Sequence, residues 1–264
     1  MKIEILEPHG MCGGAKAAVE MARSSGGAYC LHHVVHSEIV ARELEALGCR
    51  FVEDIEEVPD GATVVFSAHG VSPDIRRRAK EKRLAIIDAT CPSVERAHRA
   101  AREFSAAGLP VVIIGEPGHA EYEGIAGEIA NAKPPRPGDR IGVVVQTSMD
   151  ADAALARVEE MRREFTVAGV SPVCRATAER QNAVRRFKGD ALLVLGDKTS
   201  ANSRRLRDIS KCPAFMASDM NEVAAIVKEL SHFETVGVTS GASTPENFFI
   251  DAVELLKREC YVSC

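Results

Sequence analysis

Three cysteines sit where a short apolar run gives way to a helical pattern: Cys12 in PHGMCGG, Cys91 in DATCPS and Cys174 in SPVCRA. One cysteine in such a corner is an ordinary small packing residue. Three that recur after roughly 80 residues each form a repeat. Free N–H groups at a helix N-terminus favour a thiolate, and three thiolates suit zinc or an iron–sulfur cluster. A cluster with only three protein ligands leaves one iron open. By analogy with catalytic zinc, an open position marks catalysis rather than electron carriage alone.

Other polar groups recur at the same kind of corner. His36, His69 and His119 follow apolar runs in VVHSE, SAHGVS and GEPGHAEYEG. Together they could give donors and positive charge to a phosphate-bearing ligand. No Walker A or GxGxxG pattern is present, so a nucleotide in a standard loop is not expected. Further corners read QTSMD, GDKTSANS and TSGASTP, and helix capping accounts for much of their Ser and Thr. Ser72-Pro73 reads as N-cap and first helical residue, and Ser243 with Glu246 fits a capping box. His9, His32, His33, His98 and His232 lack the corner placement and read as structural or surface residues. Cys30 and Cys49 read as core, Cys212 as part of a connection, and Cys260 with Cys264 as a frayed tail.

What must position these residues is an alternation of strand and helix. KIEIL, YCLHHVV, ATVVFSA, LAIID, PVVIIG, IGVVVQ, ALLVLG and TVGVTS are strand-length runs rich in Val, Ile and Leu, each followed by a turn and a helical segment. That predicts an α/β fold with parallel sheets, whose ligands bind beyond the strands' carboxyl ends. The repeat divides the chain into three small α/β units, 13–90, 91–173 and 174–264, with an N-terminal strand in 1–12 near the centre. CRFVEDIEEVPDG in the first unit and AFMASDMNEVAAI in the third each predict an extra strand and helical turn. In the second unit only the Pro-rich ANAKPPRPGDR stands there, a loop. The Asp88-Ala89-Thr90 approach to Cys91 reads as the end of a central strand.

The 264 residues carry a net charge of −5 with no long basic stripe, so a nucleic-acid partner is not expected. No Trp and three Tyr leave no stacking platform for single strands. The apolar stretches are far too short to span a membrane. MKIEILEP carries charge inside its first apolar run and does not read as a signal peptide. A cytoplasmic protein is expected.

With Cys12, Cys91 and Cys174 beside VVH, SAHGVS, DATCP, GHAEYEG, QTS and SxNS, the chain resembles the 4-hydroxy-3-methylbut-2-enyl diphosphate reductase (IspH or LytB) family over about residues 3 to 256. The resemblance implies three α/β domains in a pseudo-threefold trefoil around a central 4Fe–4S cluster held by Cys12, Cys91 and Cys174. It implies reductive removal of the substrate's hydroxyl in the non-mevalonate isoprenoid pathway, with electrons from ferredoxin or flavodoxin. By position, His36, His69, His119, Ser200, Asn202 and Ser243 contact the allylic diphosphate. Glu121 matches the proton-delivering carboxylate, and Thr147 a hydroxyl that orients the substrate oxygen and relays protons. This chain departs from the family pattern at Ala201, where a second Ser is usual, in the PHGMCGG motif, and in the shortened second unit. Ala201 and the shortened second unit motivate a related allylic diphosphate as an alternative substrate. A cluster-bearing electron carrier and a zinc-stabilised binding module are the non-enzymatic alternatives.

Overall fold

The computed structural model describes residues 1–262; Cys264 and the side chain of Cys260, read above as a tail, lie outside the described residues. The described strands form three sheets, each wholly parallel. The first holds β2 (Tyr29–Leu31), β3 (Arg50–Val52), β4 (Thr63–Phe66) and β5 (Ala85–Asp88) in the order β3-β2-β4-β5. The second holds β6 (Val111–Ile114), β7 (Arg140–Val145) and β8 (Thr166–Ser171) in chain order. The third holds β1 (Lys2–Ile5), β9 (Ala191–Leu195), β10 (Ala214–Ala217) and β11 (Thr235–Ser240) in the order β1-β11-β9-β10.

Helices follow the strands: α1 (Gly13–Arg23), α2 (Glu38–Ala46), α3 (Pro73–Glu81), α4 (Pro92–Ala106), α5 (Ala120–Glu128), α6 (Ala151–Met161), α7 (Arg175–Arg186), α8 (Ala201–Asp208), α9 (Met220–Leu230) and α10 (Glu246–Val262). The extra strands expected in the first and third units are β3 and β10, the former followed by a 3-10 turn at Ile55–Glu57 and the latter by α9. The stretch 131–139 carries neither strand nor helix, as its prolines require. Ser72 caps α3 with Pro73 at its first position, as expected.

Three local expectations are corrected. β5 lies at the edge of its sheet, beside β4 alone, so Asp88 does not end a central strand. Both ends of β5 are exposed, which suits an edge strand. The run YCLHHVV pairs only over Tyr29–Leu31, because His32 takes φ 60° and turns the chain out of the ladder. The Ser243–Glu246 capping box does not form. Ser243 Oγ instead donates to the His36 carbonyl (2.7 Å), and the Glu246 carboxylate faces His9.

The chain packs as two compact units. One comprises Met1–Lys16, His36–Arg42 and the chain from Arg175 on; the other comprises Ala17–Val35 and Glu43–Cys174. In the first unit, Leu193, Leu195, Val236 and Val238 pack against Val223, Phe249, Ala252 and Leu256, while Leu192 and Val194 pack against Val184, Phe187 and Leu206. Both faces of this sheet are thus buried, which explains the uninterrupted apolar run ALLVL. In the second unit β7 is sandwiched in the same way. Ile141, Val143 and Val145 face Ala154, Val158 and Met161 of α6, and Val144 faces Ala97, Ala101 and Ile125.

The Phe104 ring of α4 packs over β7 and β8 where both carry glycine. A Cβ at Gly142 would stand 2.3 Å from the Phe104 ring, and one at Gly169 would stand 3.0 Å from it. Gly142→Ala is therefore expected to overpack this face and lower stability by about 1–3 kcal/mol, measured as a fall in the urea midpoint.

Candidate functional site

The Ala17–Val35 and Glu43–Cys174 unit gathers a buried acid, two histidines and two thiols at strand exits. Glu121 is the second residue of α5 and is only 2% exposed. Its Oε1 accepts from the Thr147 backbone N–H (2.6 Å), and its Oε2 accepts from Thr147 Oγ1 (2.9 Å). Burial drives its carboxyl up to about 7, against the two Thr147 hydrogen bonds that favour ionisation. A neutral carboxylic acid is thus available near neutral pH. His119 caps the same helix, its Nδ1 accepting from the Glu121 N–H (3.1 Å). In the neutral ring the proton then lies on Nε2. The His69 ring stands edge-on to it, with centroids 5.6 Å apart, and Ser67 Oγ lies 3.3 Å from His69 Nδ1.

Cys91 is the N-cap of α4, with Pro92 at the first helical position, and its N–H donates to the Ala68 carbonyl (3.0 Å). Cys174 follows β8, and its N–H donates to the Thr147 carbonyl (3.2 Å). Its Sγ lies 3.3 Å from the Ser93 hydroxyl, in the first turn of the helix that Cys91 caps. Thr147 therefore joins the acid to one thiol corner: its N–H and hydroxyl hold Glu121 while its carbonyl holds Cys174.

Cys12, His36, Ser200, Asn202 and Ser243 belong to the other unit. The Cys12 N–H donates to the Ala242 carbonyl (2.9 Å), its carbonyl accepts from Lys16, and its Sγ accepts from the Ala15 N–H (3.5 Å). Ser200 is buried and caps α8 by accepting from the Ser203 N–H. Asn202 is 7% exposed, and neither Oδ1 nor Nδ2 has a hydrogen-bond partner among the described residues. A buried amide with both ends unsatisfied costs stability unless a ligand or water completes it. Asn202 lies in the first turn of α8, where free backbone N–H groups favour an anion. The half-buried His36 holds Ser243 through its carbonyl. Burial opposes ionisation of nearby Asp197, but hydrogen bonds from Thr199 and the Glu38 N–H outweigh it and hold the carboxyl low.

Asn202→Ala removes this unsatisfied pair, and its melting point, followed by circular dichroism, is expected to hold or rise.

The thiols at Cys12, Cys91 and Cys174 are in no disulfide and are half-buried. An N–H points at one sulfur and a hydroxyl lies against another, the contacts that stabilise metal-bound thiolate. Thiols are the donors an iron–sulfur cluster takes, and among the described residues no group of three or more His, Cys, Asp or Glu side chains is placed to hold a metal ion. Sequence reasoning missed Ser67, Ser93 and the fully buried Gln146. Gln146 bonds the Glu116 N–H and Ser148 and so braces the strand exit before Thr147. The QTS tripeptide was the available signal for it.

Parallel sheets with thiols and a buried acid at their exits define an α/β protein with its polar chemistry gathered beyond the strands' carboxyl ends. A sequence profile of the LytB protein family matches residues 3–257, and the chain belongs to that family. It is 36% identical to 4-hydroxy-3-methylbut-2-enyl diphosphate reductase of Burkholderia pseudomallei, over 97% of this chain and 90% of that protein. The Haemophilus influenzae reductase of the same name is 34% identical over 98% and 90%. Among solved structures, the E-1-hydroxy-2-methyl-but-2-enyl-4-diphosphate reductase from Plasmodium falciparum superposes with a TM-score of 0.88 at 30% identity, covering 96% of this chain and 87% of that one. A second solved structure, described as (E)-4-hydroxy-3-methyl-but-2-enyl diphosphate reductase, the terminal enzyme of the non-mevalonate pathway, gives 0.66 at 28% identity, covering 98% of this chain and all of that one. None of the described helices is long and apolar enough to cross a membrane.

Proposed function

We propose that the protein reductively removes the hydroxyl of 4-hydroxy-3-methylbut-2-enyl diphosphate, giving isopentenyl and dimethylallyl diphosphate. The observation that carries this reading is Thr147, which ties an acid still protonated near neutral pH to a thiol corner. LytB proteins are iron–sulfur oxidoreductases. Cys12, Cys91 and Cys174 would hold a 4Fe–4S cluster with one iron open, which when bound supplies electrons and a Lewis acid.

The balance is one alcohol, two electrons and two protons giving one alkene and one water. The C–O bond breaks, a C–H bond forms, and the oxygen leaves as water. Glu121 supplies the proton for the departing oxygen, relayed by the Thr147 hydroxyl 2.9 Å from its Oε2. His119 and His69 offer ring N–H groups to diphosphate oxygens, together with His36, Ser200, Asn202 and Ser243. Reduced ferredoxin or flavodoxin supplies the electrons, in the cytoplasm. The working division of the chain is three α/β units, 13–90, 91–173 and 174–264, with the strand of 1–12.

Ala201 favours a second reading, a related allylic diphosphate as substrate. It is buried between Ser200 and Asn202 and offers no hydroxyl. An electron carrier needs neither a protonated buried acid nor an unsatisfied amide. Anaerobic purification with iron and sulfide analysis, then turnover with a reduced dye, tests these readings. A brown protein that reduces the hydroxymethylbutenyl diphosphate is expected. A colourless zinc protein sinks the proposal, and a brown protein inert towards this substrate but active on a related one selects the second reading.

A further inference from the structure

His98 reads from sequence as a structural or surface residue, and its surroundings give it a more specific task. It lies on α4 two turns below Cys91, hence on the same helix face, and is 1% exposed. Its Nδ1 lies 2.9 Å from Glu128 Oε1 at the end of α5, and Arg102 Nη1 donates to the same oxygen (2.7 Å). Burial opposes ionisation of Glu128, but His98 and Arg102 outweigh it and hold the carboxyl low. A carboxylate there fixes the ring proton on Nδ1. Nε2 then faces inward with no hydrogen-bond partner among the described residues.

What meets that inward edge is glycine on two sides. A Cβ at Gly70 would lie 2.9 Å from His98 Nε2, and one at Gly124 would lie 2.9 Å from its Cε1. Gly70, at φ 72°, follows His69 directly. Gly124 sits one helical turn beyond Glu121 on α5. The ring therefore wedges the His69 turn, the helix carrying His119 and Glu121, and the helix capped by Cys91. Where the turn and α5 meet, Gly124 and Gly127 keep them close: a Cβ at Gly127 would strike Ser72 at 2.5 Å.

We infer that His98 is a positioning residue that sets the distance between the His69 turn and the His119–Glu121 helix, and so the grip on the diphosphate. The roles of His69, His119 and Glu121 rest on the function proposed above; the wedge itself does not.

Gly124→Ala tests it without removing a hydrogen bond, since it adds one methyl to a helix and pushes on the ring. Loaded wild type is expected to bind pyrophosphate by calorimetry and to turn over the substrate. G124A should raise the pyrophosphate Kd and lower kcat/KM, each at least fivefold, well below its melting transition. H98A should do likewise, and H98A/G124A should be no worse than H98A, because the methyl fills the space the ring leaves. H98N, which keeps a donor for Glu128 but lacks the wedge, should retain the melting point better than H98A yet share its binding defect. Wild-type affinity in G124A overturns the inference, as do additive losses in the double variant. Wild type that binds pyrophosphate without turnover counts against the proposed reaction alone, and the Kd series still decides the wedge.

Discussion

Glu121→Gln is expected to lower kcat by about 10²–10⁴-fold, the range for loss of a positioned acid, while iron content and pyrophosphate affinity stay at wild-type values. Gln fits the same space. Its Oε1 still accepts from the Thr147 N–H, and its amide can donate to Thr147 Oγ1, so the contacts seen at 2.6 and 2.9 Å survive in altered polarity. What disappears is a proton that can be given away. In wild type, turnover should decline as pH rises through about 7, where Glu121 ionises. The residual turnover of the variant should lack that limb. Stability moves with the same titration. The folded carboxyl titrates near 7, whereas an unfolded one titrates near ~4.3, so the native state holds a proton that the unfolded chain releases. The contribution of Glu121 to wild-type stability therefore falls as pH rises from about 4 to about 7, on the order of 4 kcal/mol at ~1.4 kcal/mol per unit. Above pH 7 the Gln variant should melt higher than wild type. A variant with wild-type kcat would remove Glu121 from the mechanism.

Cys174→Ser should have the larger effect on the loaded protein. Changes in the groups around metal ligands already cost about 10–100-fold in metal affinity, so losing a thiolate ligand outright should exceed that. Iron per chain and visible absorption should drop together, and turnover with them. The fold should persist, because Cys174 is half-buried and its backbone N–H bond to Thr147 does not need the sulfur. Cys30→Ser is the matched control. Cys30 is fully buried and burial pushes its thiol up to about 12, so it is a packing residue and its loss should leave iron untouched. Full iron loading in the Cys174 variant would exclude it as a ligand.

The class of fold was legible because ALLVL and IGVVV are buried on both faces, and such runs leave an unbroken apolar signature. The corners were legible because caps and prolines punctuate them, as at Ser72-Pro73. Where pairing stops was not. YCLHHVV stays apolar beyond Leu31, but His32 enters the left-handed region and leaves the sheet. Strand order was equally hidden, since nothing in LAIID says that only β4 will pair with it. β8 escaped explicit notice because Gly169 breaks its run, and only the Phe104 ring above explains that glycine. Within the candidate site, the family resemblance, not local pattern, pointed to Glu121 and Thr147. Their bond, the two empty ends of Asn202 and the wedge at His98 depend on burial and on contacts between residues far apart in sequence. Local patterns carry neither.

The pairing of β1 with β11 sets the order of events during synthesis. Lys2 pairs with Thr235 and Ile5 with Val238, so β1 must wait for β11. At about 5–20 residues per second that wait is roughly ten to fifty seconds on the ribosome. The strands from Tyr29 to Ser171 meet their partners earlier in elongation. The Cys12 corner closes onto Ala242 and shares the delay. The backbone around Cys12 therefore takes its final place only after Ala242 has emerged from the exit tunnel.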